Sequence, residues 1–234
     1  NELKPWRVKG WVIPPQQNGQ FVADMEKVLD VYKRPYDRDN PVICMDGPPK
    51  QLIEETKISI AMKPGQDKKV DYEYSRNGVC NILMANEPLT GKRYPKITKT
   101  KTKTKQDWAV FIKETIDAHY AKQDKITLVM DNYGTHTTGA FYETFAPEEA
   151  KRLMDKIDFI FTPKHGSWLN MAEIELNVLQ KQCLNRRIGD METVKSEVNS
   201  WMEDRNNKDA KINWRFDEDE ARIKLKRLYP SYEY

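Results

Sequence analysis

Cysteine is scarce in this sequence, with three residues among 234 and no C-x-x-C pair. An odd and scattered set argues against a disulfide framework or a cysteine-based zinc site, and it is typical of a reducing compartment such as the cytoplasm. No apolar run approaches the roughly 18 residues that a membrane-spanning helix needs, so we expect no membrane partner. The chain also lacks the G-x-S-x-G, P-loop and G-x-G-x-x-G patterns, which argues against a serine hydrolase and a nucleotide-binding protein.

Charge is abundant but nearly balanced, since 39 Lys and Arg against 36 Asp and Glu give a net charge of +3. The total identifies no partner, but its distribution is uneven. The segment from Lys92 to Lys105 holds seven basic residues and no acidic one, and the ARIKLKR stretch near the C-terminus is basic as well. Patches of one sign attract polyanions even when the whole chain is almost neutral.

Short apolar runs predict the strands of a sheet. VICMD predicts a buried strand that ends at Asp46, and ITLVMD predicts another that ends at Asp131. We expect a β-hairpin around Asn77-Gly78, because this pair favours tight turns. A third strand of that antiparallel group is expected near 93–98, and DFIFTP predicts a final buried strand.

The remaining pattern is helical and alternates with the strands. The segment 48–69 is punctuated by Pro and Gly and is expected to be an irregular insertion. Tight turns make the first three strands antiparallel, whereas helical crossovers make the later ones parallel. We therefore predict an α/β fold with a mixed sheet flanked by helices. The expected helices cover about 21–33, 108–119, 138–145, 147–156, 169–183 and a stretch from 190 onward.

Asp46 and Asp131 share one arrangement, an aspartate at the carboxyl end of an apolar strand. In open α/β sheets ligands bind outside the carboxyl ends of the strands. If the two strands are parallel neighbours, the carboxylates meet and repel unless a cation is present. Magnesium or manganese fits, since hard cations prefer oxygen ligands. The alternative is that each Asp is an ordinary turn or capping residue.

Glu173 is the third acidic candidate. It lies off the apolar stripe that runs through Leu169, Leu176 and Cys183, so it does not point into the core contact of its own helix. Glu175 lies about 200° around the helix from it, so both cannot face one metal. The alternative is that Glu173 is an ordinary solvated helix residue.

Several motifs together resemble the DDE transposases of bacterial insertion sequences, in the mariner-like superfamily. They are VICMDG, DYEYSRNG, EPLTGKR, VMDNYGTH, FTPKHGSWLNMAEIELNVLQKQCLNRRI and INWRF. The resemblance implies a ribonuclease H-like fold and a catalytic, metal-binding triad of Asp46, Asp131 and Glu173. It also implies two Mg²⁺ ions, for which Mn²⁺ can substitute, and cleavage of double-stranded DNA at transposon ends with transfer of the 3′-hydroxyl to target DNA. A homodimer on DNA and a cytoplasmic, nucleoid-associated bacterial protein are further implications.

The chain departs from the family pattern in three places. Gly47 follows the first Asp where the family commonly has an acidic residue, and Met171 replaces the Pro of the L-N-P-x-E motif. The family's amino-terminal helix-turn-helix region has no counterpart. We therefore interpret residues 1–18 as a linker from that missing region, and 19–234 as the catalytic domain with a C-terminal helical extension.

Basic and polar residues around these motifs are the candidates for DNA binding. His136 and His165 are equally well explained as loop or capping residues. Two alternatives to a transposase remain, a decayed or domesticated transposase that binds DNA without cutting and a different metal-dependent nuclease. The residues expected to contact DNA are Lys99, Lys101, Lys103, Lys105, Lys164, His165 and Lys181.

Overall fold

The computed structural model describes residues 17–67, 69, 71–99, 104–132, 134 and 136–230. Most of the expected linker at 1–18 and the predicted DNA contacts Lys101 and Lys103 lie outside these residues. The helices are α1 Gly19–Lys33, α2 Lys105–His119, α3 Gly139–Thr144, α4 Pro147–Lys156, α5 Met171–Leu179, α6 Met191–Asn207 and α7 Glu218–Lys224. The strands are β1 Val42–Asp46, β2 Pro49–Glu55, β3 Tyr74–Glu87, β4 Lys92–Thr98, β5 Ile126–Met130 and β6 Ile157–Phe161.

One mixed sheet organises the described chain. The long strand β3 pairs antiparallel with β4 along one edge and with both β1 and β2 along the other. β5 then pairs parallel with β1, and β6 pairs parallel with β5. The predicted fold class, antiparallel strands followed by parallel strands between helices, is confirmed.

Helices cover both faces of the sheet, which is why β1 and β5 read as continuous apolar runs. On one face, Ile43 and Met45 pack with α2, α3 and α4. On the other face, Cys44 and Val129 pack with α1, α7 and the start of α5. α5 extends from there over β3, where it packs with α6. Because α5 bridges two apolar clusters, its position over the sheet is well fixed.

Two predictions about the antiparallel strands are wrong. The segment 48–69 is not wholly irregular, because its first part is β2, whose register along β3 continues that of β1. Asn77-Gly78 forms no hairpin but a bulge inside β3: Leu52 pairs with Gly78 and Ile53 with Arg76, which leaves Asn77 as the extra residue. The φ of Gly78 is 111°, and a bulge uses such a conformation as readily as a tight turn.

The other elements follow the sequence pattern closely. α1 to α4 and β4 to β6 lie where the periodicity predicts them. Asp190 caps α6 by accepting a hydrogen bond from the Thr193 amide at 2.8 Å. The stripe at 169–183 is helical, with a short 3₁₀ turn before α5 and a π-helical turn after it. Within the described residues, no helix is both long and apolar enough to cross a membrane.

Candidate active site

The parallel pairing of β1 and β5 places two aspartates side by side. Met45 is paired with Met130, so Asp46 and Asp131 are the next residues along two neighbouring strands. Two positions earlier, Cys44 and Val129 pack on the face that carries α5. Because side chains alternate along a strand, both aspartates lie on that same side of the sheet edge.

The start of α5 is fixed against this edge by Asn170 and Tyr32. The fully buried Asn170 side chain accepts a hydrogen bond from the Ala172 amide at 3.0 Å, which caps the helix. The Tyr32 hydroxyl, from α1, donates to the Leu169 carbonyl at 2.8 Å. Glu173 therefore stands in the first turn of a helix whose beginning is held on the sheet.

Glu173 is close enough to both aspartates to be affected by their charge. Burial raises the pKa of the Glu173 carboxyl, the negative charges of Asp46 and Asp131 raise it further, and a hydrogen bond from Ser167 opposes both. The structure thus brings together the three acidic residues singled out in the sequence. An ordinary solvated helix residue has no such surroundings.

This carboxylate set is chemically suited to a divalent cation. The two aspartates disfavour the ionised state of Glu173, which a nearby cation would stabilise, and oxygen donors are the ligands that Mg²⁺ and Mn²⁺ prefer. Within the described residues, no group of three or more Asp, Glu, His or Cys side chains is arranged to hold a metal ion. The three carboxylates match such a metal in donor type.

Two depressions flank the carboxylates. One, of about 360 Å³, lies between β2 and α5 and is lined by Asp46, Lys50, Glu173 and Asn177, with apolar residues beneath. The other, of about 250 Å³, is lined by Asp131, Asn132, Thr162, Pro163, Lys164, His165 and Ser167. The acidic edge is therefore open on both sides.

The described residues among the predicted DNA contacts lie in different parts of the structure, some beside the acidic edge and others near β4 and α2. Lys164 and His165 are exposed in the loop beside Asp131, and His165 has a φ of 65°. Lys181 is exposed on the π-helical turn after α5. Lys99 is exposed just beyond β4, whereas Lys105 begins α2 and pairs with Glu143 at 3.1 Å.

Part of the basic segment 92–105 makes contacts that stabilise the fold. Arg93 is fully buried, with its Nε 2.8 Å from a carboxylate oxygen of Glu175. Lys92 donates to the Asn206 carbonyl at 3.0 Å, at the end of α6. These two residues face α6, so they do not belong to a surface open to a polyanion.

The sequence analysis missed Asn170 and Tyr32 as supports of the site and left His136 open between a positioning role and a loop or capping role. Asn170 stands three positions before Glu173 at a helix start, which is a recognisable N-cap position. Tyr32 looked like an ordinary member of an apolar helix face. His136 is buried, and its Nδ1 lies 2.5 Å from Asp131 Oδ1.

The six-stranded mixed sheet, with acidic side chains at the carboxyl ends of two neighbouring strands, defines a ribonuclease H-like α/β fold. The family model described as DDE superfamily endonuclease matches residues 41–195, more than half of the chain. The chain belongs to this family of DDE endonucleases. No curated protein sequence matches it significantly.

Solved structures share the fold at low sequence identity. The Mos1 mariner paired-end complex with Mn matches with a TM-score of 0.57 at 14% identity, over 87% of this chain and 61% of that chain. The pre-cleavage Mos1 transpososome matches with a TM-score of 0.52 at 14% identity, over 89% of this chain and 68% of that chain. The chain therefore spans about three fifths of the Mos1 chain in the paired-end complex.

Proposed function

We propose that this chain is the catalytic part of a mariner-like transposase. It cleaves DNA strands at transposon ends and transfers the freed 3′-hydroxyl to target DNA. The observation that carries this proposal is the convergence of Asp46, Asp131 and Glu173, seen in the effect of both aspartates on the pKa of Glu173. The fold shared with Mos1 complexes described as paired-end and strand-transfer complexes supports it.

Asp46, Asp131 and Glu173 hold two Mg²⁺ ions, for which Mn²⁺ substitutes. When bound, such ions supply Lewis-acid stabilisation of the charge on the scissile phosphate. The chain contributes rigid placement, because the aspartates end paired strands and Glu173 follows a capped helix start. Phosphoryl transfer depends chiefly on such positioning and electrostatics.

DNA lies across the two depressions beside the carboxylates. Lys164, His165 and Lys181 contact its phosphates near the site, while Lys99 and Lys105, with Lys101 and Lys103, form a second contact. We further infer that the protein acts as a homodimer on double-stranded DNA in the bacterial nucleoid. Residues 19–234 are the catalytic domain with a C-terminal helical extension.

A plasmid-nicking assay tests the proposal. Supercoiled plasmid is incubated with the wild type, with Asp131→Asn and with Asp155→Asn, a matched change on the exposed face of α4. Nicking that requires Mg²⁺ or Mn²⁺, disappears in Asp131→Asn and persists in Asp155→Asn supports the proposal. Nicking retained in Asp131→Asn contradicts the site. DNA binding without nicking at any metal concentration favours the decayed transposase, and joining of precut transposon ends separates a transposase from another nuclease.

A further inference from the structure

Among the described residues, the buried side chain of His136 contacts Asp131. Nδ1 of His136 lies 2.5 Å from Asp131 Oδ1 and 3.4 Å from the Asp131 carbonyl oxygen. The side chain of His136 is 0% exposed, whereas that of Asp131 is 26% exposed. The carboxylate is therefore partly open at the sheet edge and is contacted from within by an imidazole.

The imidazole is held in place by aromatic residues. The rings of His136 and Trp108 lie 5.8 Å apart between centroids, and Trp108 in turn packs on Phe141 at 4.9 Å. Trp108 and Phe141 are both fully buried. Placing a polar ring against such an apolar cluster is costly unless it is hydrogen-bonded, and the contact with Asp131 supplies a hydrogen bond.

The two neighbours of Nδ1 determine where the hydrogen lies. A carboxylate oxygen and a backbone carbonyl oxygen both accept hydrogen bonds and donate none. When Asp131 is ionised, Nδ1 therefore carries the hydrogen and donates it toward the carboxylate. This bond fixes the rotation of the carboxylate, and so determines which of its oxygens is presented at the edge beside Asp46 and Glu173.

We propose that His136 is a positioning residue, which orients the Asp131 carboxylate for binding the divalent metal ion. The inference rests on the proposed function, since it assumes that Asp131 is a metal ligand. It goes beyond the acidic triad by adding a group that touches neither metal nor DNA. Outer partners of this kind typically change metal affinity by about 10–100-fold when they are removed.

Mn²⁺ binding to two variants tests the role directly. His136→Leu fills the apolar site but cannot donate, whereas His136→Asn retains an N–H near the position of Nδ1. We expect Mn²⁺ affinity, measured by electron paramagnetic resonance, to fall about 10–100-fold in His136→Leu and to recover most of that loss in His136→Asn. Unfolding curves of both variants show whether the fold is retained. Wild-type affinity in His136→Leu overturns the proposal, as does an equal loss in a folded His136→Asn.

A parallel measurement with Asp131→Asn distinguishes failure of the metal site from failure of the role of His136. Mn²⁺ affinity unchanged in Asp131→Asn overturns the metal site itself, and with it this role of His136. Affinity lost in Asp131→Asn but kept in His136→Leu overturns only the role of His136.

A metal-free spectrum tests the same contact even if His136→Leu fails to fold. The chain holds three histidines, so long-range ¹H–¹⁵N spectra of the ¹⁵N-labelled protein resolve few imidazole patterns. His119→Gln, which changes an exposed residue at the end of α2, assigns one of them. We expect a proton on Nδ1 of His136 that shifts strongly in Asp131→Asn. A proton confined to Nε2, or a signal insensitive to Asp131→Asn, overturns the proposal.

Discussion

The side-chain amide of Asn170 donates a hydrogen bond to the backbone carbonyl of Met45 at 2.9 Å, across 125 positions of sequence. The same side chain caps α5 through its oxygen. Met45 directly precedes Asp46, and Glu173 lies in the first turn of α5. One buried side chain therefore sets the spacing between two of the three acidic residues.

Replacing Asn170 is expected to reduce both stability and cleavage. Asn170→Ala removes the helix cap and leaves the Met45 carbonyl unpaired, at a combined cost of about 2–4 kcal/mol. Asn170→Ser keeps a capping oxygen and is expected to cost less. Nicking by folded Asn170→Ala should fall about 10–100-fold, since small displacements of catalytic groups have effects of that size. Urea unfolding and plasmid nicking measure the two effects, and an unchanged unfolding free energy in Asn170→Ala contradicts the assignment.

Glu173 and Glu175 are two positions apart but have opposite roles. The Glu175 side chain is 1% exposed, and its carboxylate lies 2.8 Å from Arg93 Nε and 2.6 Å from Arg205 Nε. Removing the acidic partner of a buried arginine such as Arg93 costs about 3–5 kcal/mol. We expect Glu175→Gln to lower the unfolding free energy strongly.

Glu173→Gln serves as the matched comparison. It should leave the fold intact and abolish nicking. In denaturant unfolding Glu175→Gln should be the less stable variant, whereas in the nicking assay Glu173→Gln should lose activity while keeping its stability. Equal loss of stability in both variants would show that the two glutamates share a structural role.

The raised pKa of Glu173 predicts a pH dependence of stability in the absence of metal. A carboxyl whose pKa is higher in the folded chain binds protons on folding, so its contribution to the unfolding free energy falls as pH rises from about its ordinary value of 4.5 through the raised value. Glu173→Gln removes this penalty. Its Tm should exceed that of the wild type by a few degrees at pH 8 and by less at pH 5, and Mg²⁺ should narrow the gap at pH 8. Asp155→Asn, on the exposed face of α4, should show no such increase in its Tm difference from the wild type between pH 5 and pH 8.

The sequence pattern predicted the strands that carry the aspartates because a buried strand requires apolar residues on both faces, as Ile43 to Met45 show. β2 was not predicted because it lacks such an apolar run: among its seven residues only Leu52 is buried. Gly78 signalled a positive φ correctly, but a bulge and a hairpin turn make the same demand on the backbone.

The sequence predicts the acidic residues of the candidate site, but it does not predict the residues that hold them in place. Asp46 and Asp131 stand out because each follows an apolar run. The contact of Arg93 with Glu175 joins residues far apart in sequence, and no local pattern distinguishes that arginine from its exposed neighbours. The role of His136 likewise cannot be predicted from local sequence, because it depends on packing against Trp108, which is distant in sequence.

DNA affinity should depend on Lys164 and Lys181 through salt. Each phosphate contact contributes about 0.9 to the slope of log affinity against log salt concentration. The double variant Lys164→Gln/Lys181→Gln should therefore bind more weakly, with a slope smaller by about 2. Lys151→Gln, which removes an exposed lysine paired with Asp155 on α4, should keep the wild-type slope. Fluorescence anisotropy with a labelled duplex measures both, and an unchanged slope in the double variant excludes these two contacts.

Gly47 occupies a position where an added side chain would require a neighbouring side chain to shift. A Cβ there would lie 2.6 Å from Cδ2 of Leu83, which is fully buried. Any larger residue at position 47, including an acidic one, would therefore require the buried Leu83 side chain to shift. We expect Gly47→Ala to cost about 1–3 kcal/mol by overpacking.

A double-mutant cycle with Leu83→Ala tests this packing. Leu83→Ala alone should cost about 2–5 kcal/mol through the cavity it leaves. Because the new methyl group at 47 would fill part of that cavity, the double variant should be more stable than the sum of the single effects allows. Urea unfolding of the four proteins measures the coupling. Strict additivity would show that Leu83 moves aside without cost, and that the core tolerates a side chain directly after the first aspartate.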